Sequence, residues 1–352
     1  MYNAIELCGI GGIRMSEFEH FTARRIARLL GRERISVTDF LGIQSQFLRM
    51  SKWAAKARGI DLDKAPDRYF RAWTLRGTMH IHAIEDYALA MHEGNRSPYM
   101  EAYWSDHSVV SLREKSMAED QMLRLVEEGV AGRRDILRAF ERSGWSAEKL
   151  DFLFNAWGGL PRILMERREI VQTIADELSY AVAPGISPLS AERAEYLQME
   201  RYLRGYAPCS INDAAYFFHY TKAKAGELMR ACVAGSSDEL FWKDGSVFRQ
   251  ADEPLRGARS VHVLPGFDPL LLGYDKRENP MIPPEHRRTV YNLQGIVKPV
   301  VVYRGKCVAT WTVRKGTAYL SPFSLDRSPD TVYRQAEEKI QRLTGCGRVM
   351  FE

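Results

Sequence analysis

Two glutamines separated by one serine are the first residues whose type and spacing suggest chemistry. They lie in "FLGIQSQFLRM" (residues 40–50), an otherwise apolar stretch. A primary amide buried without partners costs about 1–3 kcal/mol, so Gln44 and Gln46 either face solvent or a ligand, or form hydrogen bonds inside the core. An amide does not titrate near neutral pH, but its carbonyl oxygen accepts a hydrogen bond from water and orients it.

The spacing of the two glutamines sets a condition on the backbone. Residues i and i+2 share a face only on extended chain, and Gly42 is expected to interrupt the preceding helix. Both amides are therefore expected to converge on one water or one substrate atom. Hydrogen bonding of both side chains to backbone groups at a helix junction is the structural alternative.

A second group of polar residues follows in "LRGTMHIH" (residues 75–82). His80 and His82 are two apart on a predicted strand and so share a face. Metal ligation is disfavoured because no acidic or thiol partner lies nearby in sequence, and a hydrogen-bonded structural role or a phosphate contact is expected instead. Arg76 is expected to hold a backbone group or a phosphate.

A basic, proline-marked segment (residues 274–292) lies near the C-terminal end. It carries the following basic side chains: Lys276, Arg277, His286, Arg287 and Arg288. These residues are candidate DNA-binding or lesion-facing groups, and a plain surface loop would look the same. Just before the segment, Asp268 lies among apolar residues, where its carboxylate needs a partner. Arg277 or a cluster of backbone amides is expected to supply it, in a structural turn rather than an active site.

Three tryptophans are further candidates. Trp53, Trp73 and Trp104 are large enough to stack on a displaced base, but core packing is expected for at least two of them.

Composition bounds the class of protein. The 352 residues are 45% hydrophobic and 27% charged, which is typical of a globular chain with ample core. The net charge of +5 and the pI near 8.9 permit a polyanionic partner without requiring one. An arginine-rich stretch is typical either of a phosphate-binding surface or of a solvated helix face; it carries Arg14, Arg24, Arg25, Arg28, Arg32 and Arg34.

The sequence also bears on compartment and cofactors. The five cysteines are scattered, without a CxxC pair, so we expect reduced thiols in a cytoplasmic protein. No signal peptide and no apolar run of about 18 residues is evident, so no membrane association is expected. The sequence lacks a glycine-rich phosphate loop, a Gly-x-Ser-x-Gly elbow and an HExxH motif, and we expect neither a cofactor nor a metal.

Three parts of the chain share one order of predicted elements. In each, an amphipathic helix, a polar turn and further helices precede β-prone residues, which is the order of a winged helix. We predict an α+β fold of tandem winged-helix (helix-turn-helix) units over residues 1–115, 116–185 and 186–258. A β-rich C-terminal domain is predicted over residues 259–352, with a helix from Ser328 to Gly345.

Four stretches in this order resemble one family: "LGIQSQ", "LRGTMHIH", "LPGFDPLLLGYDKR" and "GKCVATW". From about residue 18 to about residue 345 the chain resembles the winged-helix DNA-binding family that contains the AlkZ and YcaQ DNA glycosylases. The resemblance implies tandem winged helices forming a concave basic surface around duplex DNA. It also implies excision of N7-alkylated guanines and unhooking of interstrand crosslinks. Gln44 and Gln46 match the family's Gln-x-Gln catalytic motif, with Ser45 where an apolar residue is usual.

The resemblance and the residues together predict a monofunctional DNA glycosylase. We expect hydrolysis at N7-alkylated purines in alkylated or crosslinked double-stranded DNA, by a monomer. By resemblance, residues 274–292 include a loop or hairpin that reaches the lesion. A non-catalytic winged-helix regulator is the main alternative, although three unlike units argue against a symmetric dimer. A protein-interaction module is the third, and absence of DNA binding would favour it.

Overall fold

The computed structural model describes residues 26, 36–95, 97–175, 177–237, 239–250, 261–324 and 330–352. The arginines of the basic N-terminal stretch, Cys8 and Ser328 lie outside the described residues. The α-helices of the described chain span Leu48–Lys56, Tyr87–Ala90, Pro98–Ser105, Leu112–Glu127, Arg133–Arg142, Ala147–Leu153, Gly159–Glu166, Ala191–Tyr206, Ile211–Phe218, Lys222–Ala234, Pro269–Leu272, Arg287–Val290 and Asp330–Thr344. Together with three sheets they give the predicted α+β class.

The first sheet carries the glutamine pair. Its strands are β1 (Ile43–Gln44), β2 (Tyr69–Trp73), β3 (Met79–Ala83), β4 (Ile170–Gln172) and β5 (Tyr180–Val182). They are arranged in the order β1-β3-β2-β4-β5, so strands from the first two predicted units share one sheet. All pairings in it are antiparallel.

The chain enters β1 through a tight bend. Ser36 caps the element before β1, with Asp39 completing a capping box, and that element is a single 3₁₀ turn, Val37–Phe40. It ends because Leu41 adopts a left-handed conformation (φ 59°) and Gly42 follows at φ 89°. The predicted interruption at Gly42 is therefore present and turns the chain into the strand.

The second sheet is small and belongs to the third predicted unit. Its strands are β6 (Cys209–Ser210), β7 (Leu240–Lys243) and β8 (Ser246–Arg249), in the order β6-β8-β7. A hairpin turn joins β7 to β8 at Asp244 and Gly245, both with positive φ, as a two-residue hairpin of the primed type requires.

The third sheet forms the β-rich C-terminal part. Its strands are β9 (Val261–Leu264), β10 (Val300–Tyr303), β11 (Lys306–Arg314), β12 (Thr317–Pro322) and β13 (Arg348–Phe351), and they follow one another in the order β13-β12-β11-β10-β9. Only β12 and β13 pair in parallel among the described strands. The helix Asp330–Thr344 packs on this sheet through Val332, Tyr333 and Ile340, against the fully buried Trp311.

A buried ion pair joins the first part of the chain to the C-terminal part. Both guanidinium Nη atoms of Arg58 lie 2.7 Å from the carboxylate oxygens of Asp268, and both side chains are fully buried. The backbone N–H of Leu270 also donates to Asp268. The expectation that Arg277 pairs with Asp268 is wrong, since Arg277 pairs with Asp275 instead. The planar guanidinium of an arginine binds a carboxylate through two parallel hydrogen bonds. Separation along the sequence does not indicate which arginine forms such a pair.

No helix among the residues that the structure describes is long and apolar enough to cross a membrane.

Candidate active site

The glutamine pair lies at the end of β1, on extended backbone. Gln44 is opposite His80 on β3, and the N–H of Ser45 donates to the carbonyl of Met79 at 2.7 Å. Gln44 is half-buried and Gln46 is exposed. The Nε2 of Gln44 donates to the Oε1 of Gln46 at 2.9 Å, so both amides lie on one face, as their spacing predicts. The alternative of two side chains bound only to backbone does not describe this arrangement.

Ser45 points to the opposite face and anchors the turn. Its side chain is fully buried, and Arg71 donates to both its hydroxyl (Nε, 3.2 Å) and its carbonyl oxygen (Nη2, 2.7 Å). Burial lowers the pKa of Arg71 to about 10. The Oγ of Ser51 donates to the carbonyl of Gln44 at 2.8 Å. A serine in place of an apolar residue thus gives the buried guanidinium an extra acceptor, directly behind the two amides.

Gly42 is required by what lies against it. A Cβ at this position would come within 2.6 Å of the His82 ring and 2.9 Å of the Ile81 carbonyl oxygen. Real Cβ atoms do not approach this closely, and the positive φ adds strain for any other residue. The close contact holds the β1 end against β3.

Arg76 sets which way the amide of Gln44 points. Its Nη2 donates to the Oε1 of Gln44 at 3.1 Å, and its Nη1 donates to the carbonyl of Phe217 at 3.2 Å. The guanidinium also lies 4.7 Å from the centre of the Phe217 ring. Because a guanidinium only donates, the oxygen of Gln44 must face Arg76, so its NH₂ faces Gln46. The oxygen of Gln46 must then accept from it.

Arg76 is a buried cation whose described partners are neutral. Burial is the main cause that lowers the pKa of this guanidinium. Among the described residues no carboxylate forms an ion pair with it, and its bonds go to an amide, a backbone carbonyl and an imidazole. The described contacts of Arg76 thus consist of one cation and neutral acceptors.

His80 and His82 form a buried hydrogen-bond network behind Arg76. The Nε2 of His80 lies 3.5 Å from the Nη2 of Arg76, and its Nδ1 lies 3.0 Å from the carbonyl of Thr78. Since Arg76 donates, His80 carries its proton on Nδ1. The hydroxyl of Thr74 lies 3.2 Å from the Nδ1 of His80 and 3.0 Å from the Nε2 of His82. Because the Nδ1 of His80 carries the proton, the Thr74 hydroxyl accepts from His80 and donates to His82.

Burial keeps both histidines neutral. It lowers the pKa of His80 well below 6.5 and that of His82 to about 3, with Arg76 and Arg201 respectively as the nearest cations that add to the effect. The part of the chain that the structure describes contains no group of three histidine, cysteine or acidic side chains suited to a metal. The described contacts of His80 and His82 are those of hydrogen-bonded structural groups.

Within the basic segment, Arg277 acts electrostatically on the same hydroxyl as Arg76, that of Tyr216. Lys276 and Arg277 are exposed. Burial raises the pKa of the Tyr216 hydroxyl, while Arg76 and Arg277 both oppose that rise, so both cations act on the same hydroxyl.

The other three basic residues of the segment have different neighbours. His286 stacks on Phe323 with ring centres 4.0 Å apart. Arg288 is exposed and Arg287 half-buried, and none of the contacts described for these three residues reaches Gln44 or Gln46. The described contacts thus join Gln44, Gln46, Arg76 and His80, and none of them links His286, Arg287 or Arg288 to this group.

The three candidate tryptophans pack against cores. Trp53 lies beside Trp311 with ring centres 5.9 Å apart. Trp73 lies under the guanidinium of Arg162 at 4.0 Å. Trp104 packs against a buried apolar cluster that includes Tyr103 and Phe140. Core packing is the role that all three contacts describe.

An aromatic residue that sequence reasoning missed lies directly after the glutamine pair. Phe47 is 50% exposed and stacks on Phe267 with ring centres 5.1 Å apart and planes 29° from parallel. The sequence indicated this residue through its position next to Gln46, because a large apolar side chain beside a polar residue that faces solvent is itself a candidate for exposure.

Comparisons with known proteins show which sequences and which fold this chain is similar to. The model of the family described as DNA glycosylase AlkZ-like matches residues 37–344. An interstrand DNA cross-link repair glycosylase of Streptomyces sahachiroi is 22% identical over 344 residues, covering 88% of this chain and 90% of the relative. The solved structure of Streptomyces sahachiroi DNA glycosylase AlkZ superposes with a TM-score of 0.71 at 17% sequence identity, covering 96% of this chain and all of that one. At that identity the superposition shows a shared mixed α+β fold.

Proposed function

Because the chain belongs to the AlkZ-like DNA glycosylase family, we propose that it hydrolyses the N-glycosidic bond of N7-alkylated purines in duplex DNA. Interstrand crosslinks built on such purines are a second proposed substrate, consistent with the name of the Streptomyces relative. The enzyme class, a hydrolase acting on N-glycosyl bonds, follows from the family. The alkyl specificity, the monofunctional course of the reaction and the residues that perform it are our proposals.

The observation that carries the proposal is the orientation of the two amides. The oxygen of Gln44 accepts from Arg76, and the oxygen of Gln46 accepts from Gln44. A carbonyl oxygen has two acceptor positions, and the described contacts occupy one on each amide. We propose that the second positions accept both hydrogens of a single water, which then directs its own lone pair outward.

The proposed reaction needs little more than that water. An N7-alkylated purine already carries positive charge, so it departs with the electron pair of the C1′–N bond and becomes neutral. The sugar develops oxocarbenium character, and the water held by Gln44 and Gln46 adds to C1′ and then loses a proton to solvent. Glycoside hydrolases meet the same charge with two carboxylates. Neutral dipoles are the milder equivalent for a better leaving group.

DNA binding in the proposal rests on the predicted winged-helix units and on basic side chains. We propose that the units predicted over residues 1–115, 116–185 and 186–258 and the β-rich part over residues 259–352 surround the duplex. Exposed cations such as Lys276 and Arg277 would then contact phosphates. Such contacts make the affinity fall steeply with salt and leave it independent of sequence. A monomer acting in the cytoplasm fits this proposal.

The test uses duplex DNA with one N7-methylguanine and a second duplex with a bulkier N7 crosslink. Abasic sites are counted for the wild type, Gln44→Ala and Gln46→Ala after subtraction of spontaneous depurination. Gln335→Ala is the matched control, since Gln335 is an exposed glutamine on the C-terminal helix. We expect excess abasic sites with the wild type and the control, and a loss of about ten- to a hundredfold in rate with each site variant.

Two results would contradict the proposal. If neither duplex gives excess abasic sites, the chain is not a glycosylase for N7-alkylated purines. If excision occurs but both site variants retain it, the water is held elsewhere and the glutamine assignment is wrong.

A further inference from the structure

The half-exposed ring of Phe47 stands beside the exposed amide of Gln46. Half of its surface is open to solvent, which makes it unlike the buried phenylalanines of the same region, Phe40 and Phe70. Its neighbour Phe267 is 9% exposed and covers one face of the ring. Phe47 follows directly on Gln46 in the chain, and the proposed function requires a nucleotide at Gln46.

The ring is held by a rigid frame. The carbonyl of Phe47 accepts from the backbone N–H groups of Met50 and Ser51, at 2.9 and 3.2 Å. Phe267 has a left-handed backbone (φ 59°) just after Gly266, where a Cβ would come within 2.6 Å of the Val297 carbonyl oxygen. The backbone at both aromatic residues is therefore held by contacts, and the stacking of the two rings at 5.1 Å restricts how the Phe47 ring turns.

The described contacts of Gln44 and Gln46 leave any attraction for a cationic base to an aromatic face. They involve no carboxylate that would attract such a base, and the group that holds Gln44 is the guanidinium of Arg76. An aromatic face attracts positive charge through its quadrupole and stacks on planar rings. A purine alkylated at N7 is both planar and cationic, whereas an undamaged purine is planar and neutral.

We infer that Phe47, backed by Phe267, is the stacking face for the damaged purine and determines specificity for the cationic base. The inference rests on the proposed function and assigns it a further substrate-binding residue. The occupant is the base that carries the adduct, and the positive charge on its ring is what distinguishes it from the surrounding bases. The effect appears first in binding and then in excision, because the same stacking holds C1′ near the two amides.

The experiment separates stacking from apolar packing. Phe47→Leu keeps an apolar side chain against Phe267 but removes the π face, and Phe47→Trp keeps a π face. Phe351→Leu is the control, because Phe351 is 52% exposed and lies on β13, at the opposite edge of the C-terminal sheet from β9. Affinity is measured for a duplex with one N7-methylated 2′-fluoro-deoxyguanosine, in which the fluorine holds the base in place, and for the undamaged duplex at the same salt. Excision is measured on N7-methylguanine.

We expect wild-type protein to prefer the damaged duplex, and Phe47→Leu to lower that preference and the excision rate by about tenfold each. Phe47→Trp and Phe351→Leu should stay within about threefold of the wild type. If the wild type prefers damaged DNA through Phe47 but excises nothing, the stacking inference stands and the proposed function fails. An unchanged preference in Phe47→Leu, or no preference in the wild type, overturns the inference even if excision is robust. It is also overturned if Phe47→Trp loses as much as Phe47→Leu.

Discussion

Replacing Arg76 by methionine tests whether this residue acts through Gln44. Methionine has a similar length and keeps an apolar stem near the Phe217 ring, but it donates no hydrogen bond. The change removes the 3.1 Å bond to Gln44 and the 3.2 Å bond to the Phe217 carbonyl. Without the donor, the amide of Gln44 can turn over and present its NH₂ group where its oxygen had been.

The expected size follows from the bond that is lost. A hydrogen bond to a charged group contributes about 1.5–3 kcal/mol. If misorientation of Gln44 removes about 2 kcal/mol of transition-state stabilisation, the excision rate falls by about thirtyfold, since each 1.36 kcal/mol is tenfold. Affinity for undamaged duplex should not change, because the guanidinium is engaged with protein groups on three sides.

The assay is single-turnover excision with enzyme in excess, well below the melting temperature of each variant. Gln44→Glu is a second variant of the same contact: its carboxylate still accepts from Arg76 but has no N–H to donate to Gln46, so excision should fall there too. Equal rates for Arg76→Met and wild type would refute the positioning argument. A loss confined to DNA affinity, with the salt dependence reduced by about one phosphate contact, would instead place Arg76 on the DNA backbone.

Changes at three further places test other contacts. Asp268→Asn leaves the charge of Arg58 buried against a neutral partner, so it should lower the free energy of unfolding in urea by about 3–5 kcal/mol. The double change Arg58→Met with Asp268→Leu removes both charges and should lower that free energy by less than Asp268→Asn does. Burial depresses the folded-state pKa of His82 to about 3, below the value near 6.5 of an unfolded histidine. The unfolded chain therefore gains a proton first as the pH falls, so stability should be full above about pH 6.5 and decline toward pH 3, by up to about 1.4 kcal/mol per pH unit. Unfolding of His82→Gln across this range should show a flatter profile, and an unchanged slope would contradict the assignment. Ser45→Ala retains the carbonyl contact with Arg71, so its excision rate should stay within about threefold of the wild type; a complete loss would show that the hydroxyl itself is needed.

The sequence predicted the site best where local geometry decides it. The i, i+2 spacing of Gln44 and Gln46 and the interruption at Gly42 are enough to place both amides on one face of extended chain, which the structure has. The hairpin at Asp244 and Gly245 was predictable for the same reason, because the turn type depends on residues that tolerate positive φ.

Partners distant in sequence could not be predicted. Asp268 pairs with Arg58, which is 210 residues away, and the sequence offers the closer Arg277 with equal chemical merit. Choosing between them requires knowing which side chain is buried beside the carboxylate. The exposed ring of Phe47 was missed for a related reason, since only the tertiary position of Phe267 leaves one face covered and the other open.

The Phe217 carbonyl that holds Arg76 comes from a helix 141 residues further along the chain. During synthesis the two glutamines and their arginine emerge long before that carbonyl does. A prematurely terminated product, or a fragment released by a protease before residue 217, would contain the whole Gln-x-Gln motif and still lack the contact that fixes it. Such a fragment would carry both glutamines without the contact that orients Arg76.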